Sequence, residues 1–266
     1  MGMAVAAGVA GTGVWLASRA LRAKPPGETP RWERKNFRGA PVTLTAGPSV
    51  AAGIAAGIAA APGLTPRVRT AGVVTCLAVG AVGLYDDLAG STASKGLGGH
   101  LNALRSGEVT SGAVKVGVIG LTGLVGSALV SETLVDAAIG GAVIAGHANL
   151  LNLLDLRPGR ANKVAAAHAP LVLRGPGRGV GAATLGAVLV AFPDDLGEQA
   201  MLGDCGANAI GAVLGLAMVA DERRMARLVH LAIVTGLTLA SEKVSFTAVI
   251  ERTPVLRALD GLGRRP

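Results

Sequence analysis

Apolar runs about as long as a bilayer is deep alternate with short polar segments along nearly the whole chain. A helix crosses a hydrocarbon core of about 30 Å with roughly 20 apolar residues, so each such run predicts a membrane span. The runs fall at residues 3–20, 42–61, 68–84, 111–130, 133–151, 164–173, 179–192, 205–220 and 225–246. The run at 164–173 is short for a full crossing, and Arg174, Pro176 and Arg178 part it from the next. The expected fold is all-α: a polytopic transmembrane helical bundle of about nine to ten spans, forming a single integral membrane domain over residues 1–266. Polar segments at about 21–41, 86–110, 152–163 and 193–204, with a tail at 247–266, are expected together on the cytoplasmic face.

Composition points the same way. Mean hydropathy is +0.52 and charged residues make up only 16% of the chain, against about 25% in soluble domains. The 40 glycines and abundant alanine suit close helix packing in lipid, although a base-composition bias gives the same excess. A net charge of +8 is explained by cytoplasmic lysine and arginine rather than by nucleic acid. Nine spans with a cytoplasmic first loop put the N-terminus outside and the C-terminus in the cytoplasm of a plasma membrane protein. On that topology 18 of the 25 basic residues are cytoplasmic and 7 are external, the sign expected. The first apolar run lacks a basic region before it, so it reads as a first span and not as a cleaved signal. Cys76 and Cys205 sit in or beside apolar runs, which argues against a structural disulfide.

Four segments carry candidate chemistry. GLYDDLAG places Asp86 and Asp87 side by side at a helix end. Paired carboxylates suit Mg²⁺, which takes hard oxygen ligands; a solvated helix end is the plainer alternative. ANLLNLLDLRPGR sets Asn149, Asn152 and Asp155 three apart on one helix face. Polar groups at that depth are costly and are candidates for function. Arg157, Arg160 and Lys163 follow at once, either as phosphate ligands or as a positive-inside flank. MLGDCGANAIG opens an apolar helix with Asp204, a cap or part of an anion site. The loop at 95–115 holds Lys95, His100, Arg105 and Lys115. His100 is suited to carrying a proton near neutral pH, though a solvated loop histidine is commoner.

In order and spacing these segments resemble the polyprenyl-phosphate N-acetylhexosamine-1-phosphate transferase superfamily (MraY/WecA-like, glycosyltransferase family 4 type). That family has a DD pair after its third helix, an NxxNxxDGxDG-like segment after its fifth and a GDxG segment opening its eighth. NFRGAPVTLTAGP is similar to the family's first cytoplasmic loop, and the resemblance runs from about Asn36 to the C-terminus. It implies transfer of a sugar-1-phosphate from a UDP-sugar to polyprenyl phosphate with release of UMP, dependent on Mg²⁺ or Mn²⁺. It implies Asp86, Asp87, Asp155 and Asp204 as catalytic carboxylates, with Asp86, Asp87 and Asp204 on the metal. Lys95, His100, Lys115, Asn149, Asn152, Arg157, Arg160 and Lys163 would meet substrate, with the lipid chain in an apolar groove. A homodimer is compatible with this reading. The chain also departs from the pattern. Leu156 and Pro158 stand where the family has Gly and a second Asp, Cys205 and Ala207 replace the commoner Thr and Ser, and residues 241–252 hold no histidine. The departures support an alternative: a family member that binds a lipid phosphate without turnover. A secondary transporter is a third reading, weakened by the lack of an internal repeat.

Overall fold

The structure, a computed structural model, describes residues 1–89 and 109–265. The expected candidates Lys95, His100 and Arg105 lie outside the described residues. Helix α1 (Gly2–Ala23) leads into a short antiparallel hairpin, β1 (Glu33–Lys35) and β2 (Pro41–Thr43), then α2 (Ala46–Ala60) and α3 (Pro66–Ala89). Next come α4 (Ser111–Val130), α5 (Leu134–Leu154), α6 (Arg160–Ala167), α7 (Ala169–Val172), α8 (Arg178–Leu196) and α9 (Gly203–Val219). The described chain closes with α10 (Arg224–Ser241), α11 (Phe246–Arg252) and α12 (Pro254–Gly261).

The chain is mostly helical, with several helices long and apolar enough to cross a membrane, and the number of such helices is smaller than expected. Among the described residues α1, α3, α4, α5 and α8 are long and apolar enough to cross a membrane. The pair α10 and α11 makes a sixth if counted as one span, but it bends by 92°. The run at 164–173 is two short helices, because Pro170 lies in the first turn of α7. The run at 42–61 also starts late. Val42 belongs to β2, and α2 has 15 residues, about 22 Å of rise.

The core forms around α9. Of its 17 residues only Asp204 is not buried. A helix apolar on every side belongs in the middle of a bundle, and α3, α5, α2 and α8 pack around this one. By contrast, α4 shows Leu121 and Leu124 to the surroundings, and α10 shows Val229 and Ile233. These are the faces that lipid would cover.

One end of the bundle gathers the tip of α3, the start of α4, the end of α5 and the start of α9. The hairpin docks there. Asn36 Oδ1 accepts from Arg38 N and Ala40 N, both at 2.9 Å, and so shapes the hairpin's turn. Thr43 then pairs with the strand-like segment before α9, its carbonyl accepting from Met201 N at 3.0 Å. The tail is also ordered at this end, as α11 and α12, where the sequence suggested only a polar extension.

Candidate functional site

Three segments far apart in the chain meet at the first turn of α9. The first N–H groups of any helix lack internal partners and attract anions. Asp87, from the tip of α3, fills this role across the bundle. Its Oδ1 accepts from Asp204 N at 3.0 Å and its Oδ2 from Cys205 N at 2.9 Å. Asp155 caps α5 and accepts from the backbone N–H of Gly203. The close approach needs Gly83, since a Cβ there would collide with the backbone of Asp204 and Cys205. Arg34 of the hairpin donates to the Asp87 carbonyl and secures the end of α3.

Lys115, in the first turns of α4, completes the cluster. Its Nζ lies 2.5 Å from Asp86 Oδ2 and also binds Asp204 Oδ2. Asn208, one turn along α9, donates to the Asp204 carbonyl at 2.7 Å. Asp86, Asp87, Asp155, Asp204 and Lys115 thus form one contiguous group. Burial pushes the Asp155 carboxyl well above the usual carboxylate range, and the charges of Asp195, Asp204 and Asp87 add to the shift. Burial also raises Asp87, to about 7, and Asp204, so the group as a whole favours a shared proton, with Asp155 pushed the same way.

Two hollows open beside this group. A groove of about 520 Å³ runs between α4, α5, α9 and α10. Its polar end carries Lys115, Asn149, Asn152 and Asn208, and its walls include Val116, Ile119, Val234 and Leu239. Asn149 also donates to Thr238 Oγ1 at 3.1 Å, linking α5 to α10. A second cavity, of about 330 Å³, is lined by Lys35 and Phe37 of the hairpin, by Asp155 and Arg157, and by Asp195 and Glu198. Arg157 stacks over the Phe37 ring, 4.8 Å from its centroid.

The chain leaves α5 at Asp155 and turns through Pro158 and Gly159, as proline geometry predicts. Gly159 sits at φ +71°, in the left-handed region. The turn does not present all three basic residues alike. Arg160 is 3% exposed and grips Asp260 of α12 in a bidentate pair at 2.8 and 2.9 Å, with Thr247 Oγ1 at 2.9 Å. Lys163 Nζ donates to the Asp260 carbonyl at 2.5 Å, and Arg264 donates to the Asp260 carboxylate at 2.6 Å and to the Pro158 carbonyl at 2.8 Å. Burial works against the charge on Asp260, but hydrogen bonds from Arg160 and Arg264 outweigh it and hold the carboxyl below its usual range. Arg160 and Lys163 are thus engaged by the tail at Asp260, while Arg157 lines the cavity and lies 3.7 Å from Glu251 of α11 in a more exposed pair.

Sequence reasoning missed Asp195, Asn208 and Asp260. Asp195 is buried in the last turns of α8, and its Oδ2 accepts from Gly159 N at 3.1 Å and Asn162 Nδ2 at 2.7 Å. Only Asn208 left a signal, its spacing of four from Asp204 on an apolar helix.

The carboxylates as arranged are satisfied by an ammonium and by backbone N–H groups. Among the described residues no three His, Cys, Asp or Glu side chains are set to hold a metal ion. The group in this arrangement does not fit Mg²⁺. The chain matches no protein-family model, and no curated protein matches it.

Proposed function

We propose that the protein transfers a sugar-1-phosphate from a UDP-sugar to polyprenyl phosphate, releasing UMP, in the synthesis of envelope polysaccharide or glycolipid. The observation that carries this reading is the groove, an apolar channel whose polar end holds Lys115 between Asp86 and Asp204. An isoprenoid chain suits the walls and its phosphate suits the head. The motif order that resembles the transferase superfamily supports the same reading.

In the reaction an oxygen of the lipid phosphate attacks the β-phosphorus of the UDP-sugar. The bond from that phosphorus to UMP breaks, and a pyrophosphate-linked lipid sugar forms. Two anions must approach each other, so fixed positive charge and hydrogen-bond donors lower the barrier. Lys115 Nζ offers that charge at the groove head once a phosphate oxygen takes the place of one of its two carboxylates. Burial and the neighbouring carboxylates raise the Asp155 carboxyl well above its usual range, which favours an O–H donor toward a phosphate over a repelling charge. Arg157 and Phe37 offer a cation and a ring face to the nucleotide in the neighbouring cavity. Mg²⁺ remains an expectation of the resemblance, and no step here is routed through it.

The site end faces the cytoplasm of the plasma membrane in this proposal, with the N-terminus outside, as the bias of basic residues favours. A second reading, binding of a lipid phosphate without turnover, is favoured by Pro158 in place of the family's second Asp. Purified protein incubated with radiolabelled UDP-sugars, undecaprenyl phosphate and Mg²⁺ separates the two. Labelled lipid and free UMP are expected. Tight binding of undecaprenyl phosphate with no labelled lipid from any UDP-sugar would establish the second reading instead.

A further inference from the structure

The last two helices carry an apolar face that the described residues leave uncovered. Neither α11 nor α12 has a buried residue. On α12 Val255, Leu256 and Leu259 are all exposed, Val255 at 69% and Leu259 at 58%. Residues four apart share a helix face, so these three make one apolar strip. At 3.6 residues per turn, Asp260 lies about a quarter turn from the middle of the strip and Arg257 nearly opposite it. The clamp on Asp260 fixes that roll. Arg160 and Arg264 hold its carboxylate and Lys163 its carbonyl. The Asp260 side of α12 is therefore turned to the bundle, and the strip is turned aside from it. The end of the chain is tied down as well, since Arg38 of the hairpin donates to the Arg265 carbonyl at 3.0 Å.

What covers the strip follows from where it stands. Helix α11 turns by 92° from α10. A segment at a right angle to a membrane-crossing helix runs along the membrane surface. Exposed apolar residues continue through the bend, from Ile233 and Leu237 of α10 to Val244 and then Val249 of α11. The edge of the bilayer lies near this level. Trp15 of α1 is exposed, and Arg19 stacks over its ring at 4.9 Å, a pairing suited to the membrane–water boundary. Arg22, about 10 Å farther along α1, pairs with Asp194. The next residue, Asp195, accepts from Gly159 N, beside the Arg160 that holds α12. The clamp thus stands at about the depth of the lipid headgroups. Arg252, Arg257 and Arg265 are exposed around it. Three side chains on an eight-residue helix fall short of the about 800 Å² per partner of a stable protein interface, which favours lipid over a second copy.

We propose that α11 and α12 form a membrane-surface anchor. The strip of Val255, Leu256 and Leu259 is set into the phospholipid leaflet at the site end, and Arg252, Arg257 and Arg265 lie among its phosphate groups. Short helices with an apolar face and basic flanks bind bilayers in this way. The anchor fixes the height of Arg157 and its cavity against the leaflet. The inference rests on the chain crossing a membrane and not on the transfer reaction.

The test is spin-label accessibility in nanodiscs of phosphatidylcholine and phosphatidylglycerol in equal parts. Nitroxides are attached singly in Val255→Cys, Arg257→Cys, Leu259→Cys and, on the exposed face of α4, Leu121→Cys; both native cysteines are buried. Oxygen concentrates among acyl chains, and a nickel chelate stays in water. The oxygen-to-nickel ratio at Val255 and Leu259 should be several-fold above that at Arg257 and should approach that at Leu121. Val255 and Leu259 read the strip independently, so loss of one variant leaves the other to decide. Water-like ratios at all three tail positions, with Leu121 still in lipid, overturn the anchor and leave the membrane fold standing. A water-like ratio at Leu121 as well overturns both. Spin–spin broadening at Val255 and Leu259 that disappears on dilution with unlabelled protein places a second copy on the strip, which also overturns the anchor.

Discussion

Lys115 and Asp155 show how one residue type acquires chemistry from its surroundings. Lys115 bridges two carboxylates from different helices. Lys115→Met would leave those carboxylates together without a cation. A charge-assisted hydrogen bond is worth roughly 1.5–3 kcal/mol, so the variant should bind undecaprenyl phosphate at least tenfold more weakly, as read by titration in detergent. Asp155 makes the opposite case. Its folded-state pKa is raised, so its contribution to stability is present below the unfolded value, about 3.9, and is lost as pH rises through the folded value. Asparagine stays neutral throughout. Asp155→Asn should therefore melt higher than the parent at about pH 8, with the gap narrowing toward about pH 4, while transfer activity falls. A gap that widens on acidification would refute the assignment. The carboxylates themselves were legible from sequence as charges bordering apolar runs. Which of them would hold a proton was not, because burial and neighbouring charge come from other helices.

The short elements decide what the basic turn after α5 does. Arg160 holds α12 through Asp260, and Arg157 lines the cavity. Breaking a buried ion pair costs about 3–5 kcal/mol, so Arg160→Ala should release the tail. Hydrogen exchange at residues 246–261 should speed up markedly. Arg157→Ala, which loses only an exposed pair with Glu251, should change that exchange far less and weaken UDP-sugar binding about tenfold. If Arg160→Ala instead loses ligand affinity with the tail still protected, the tail clamp is not its role. Gly83 carries a matching constraint on α3. Forcing a methyl group into such a contact costs about 1–3 kcal/mol, so Gly83→Ala should lower the melting temperature by pushing Asp87 off the start of α9.

At the scale of the whole molecule, the proposed topology is open to a direct test. Helix α1 begins beside Pro62, at the end of the bundle away from the site, and Arg22 near its other end pairs with Asp194 at 2.6 Å. The two termini of the described chain therefore lie at opposite ends. Leu262 is exposed and both native cysteines are buried. A Leu262→Cys variant in intact cells should resist an impermeant maleimide and react once the membrane is opened. Strong labelling from outside would invert the orientation and place the site on the external face.

The sequence by itself determined the membrane character, the long helices and the polar segments that would hold chemistry. Those properties follow from local runs of apolar residues, whose length and continuity decide whether a segment prefers lipid. The exit from α5 near Asp155 was equally local, dictated by the ring of Pro158. Only the tertiary structure decided which charges meet. Asp87 reaches the start of α9 and Asp260 reaches Arg160, contacts between residues more than a hundred positions apart in the first case and 100 apart in the second. It also left α2 at 15 residues, shorter than the apolar run at 42–61, because Val42 joined the hairpin. Asp195 was invisible for the same reason: a titratable side chain takes its partners through space, and its neighbours in sequence do not name them.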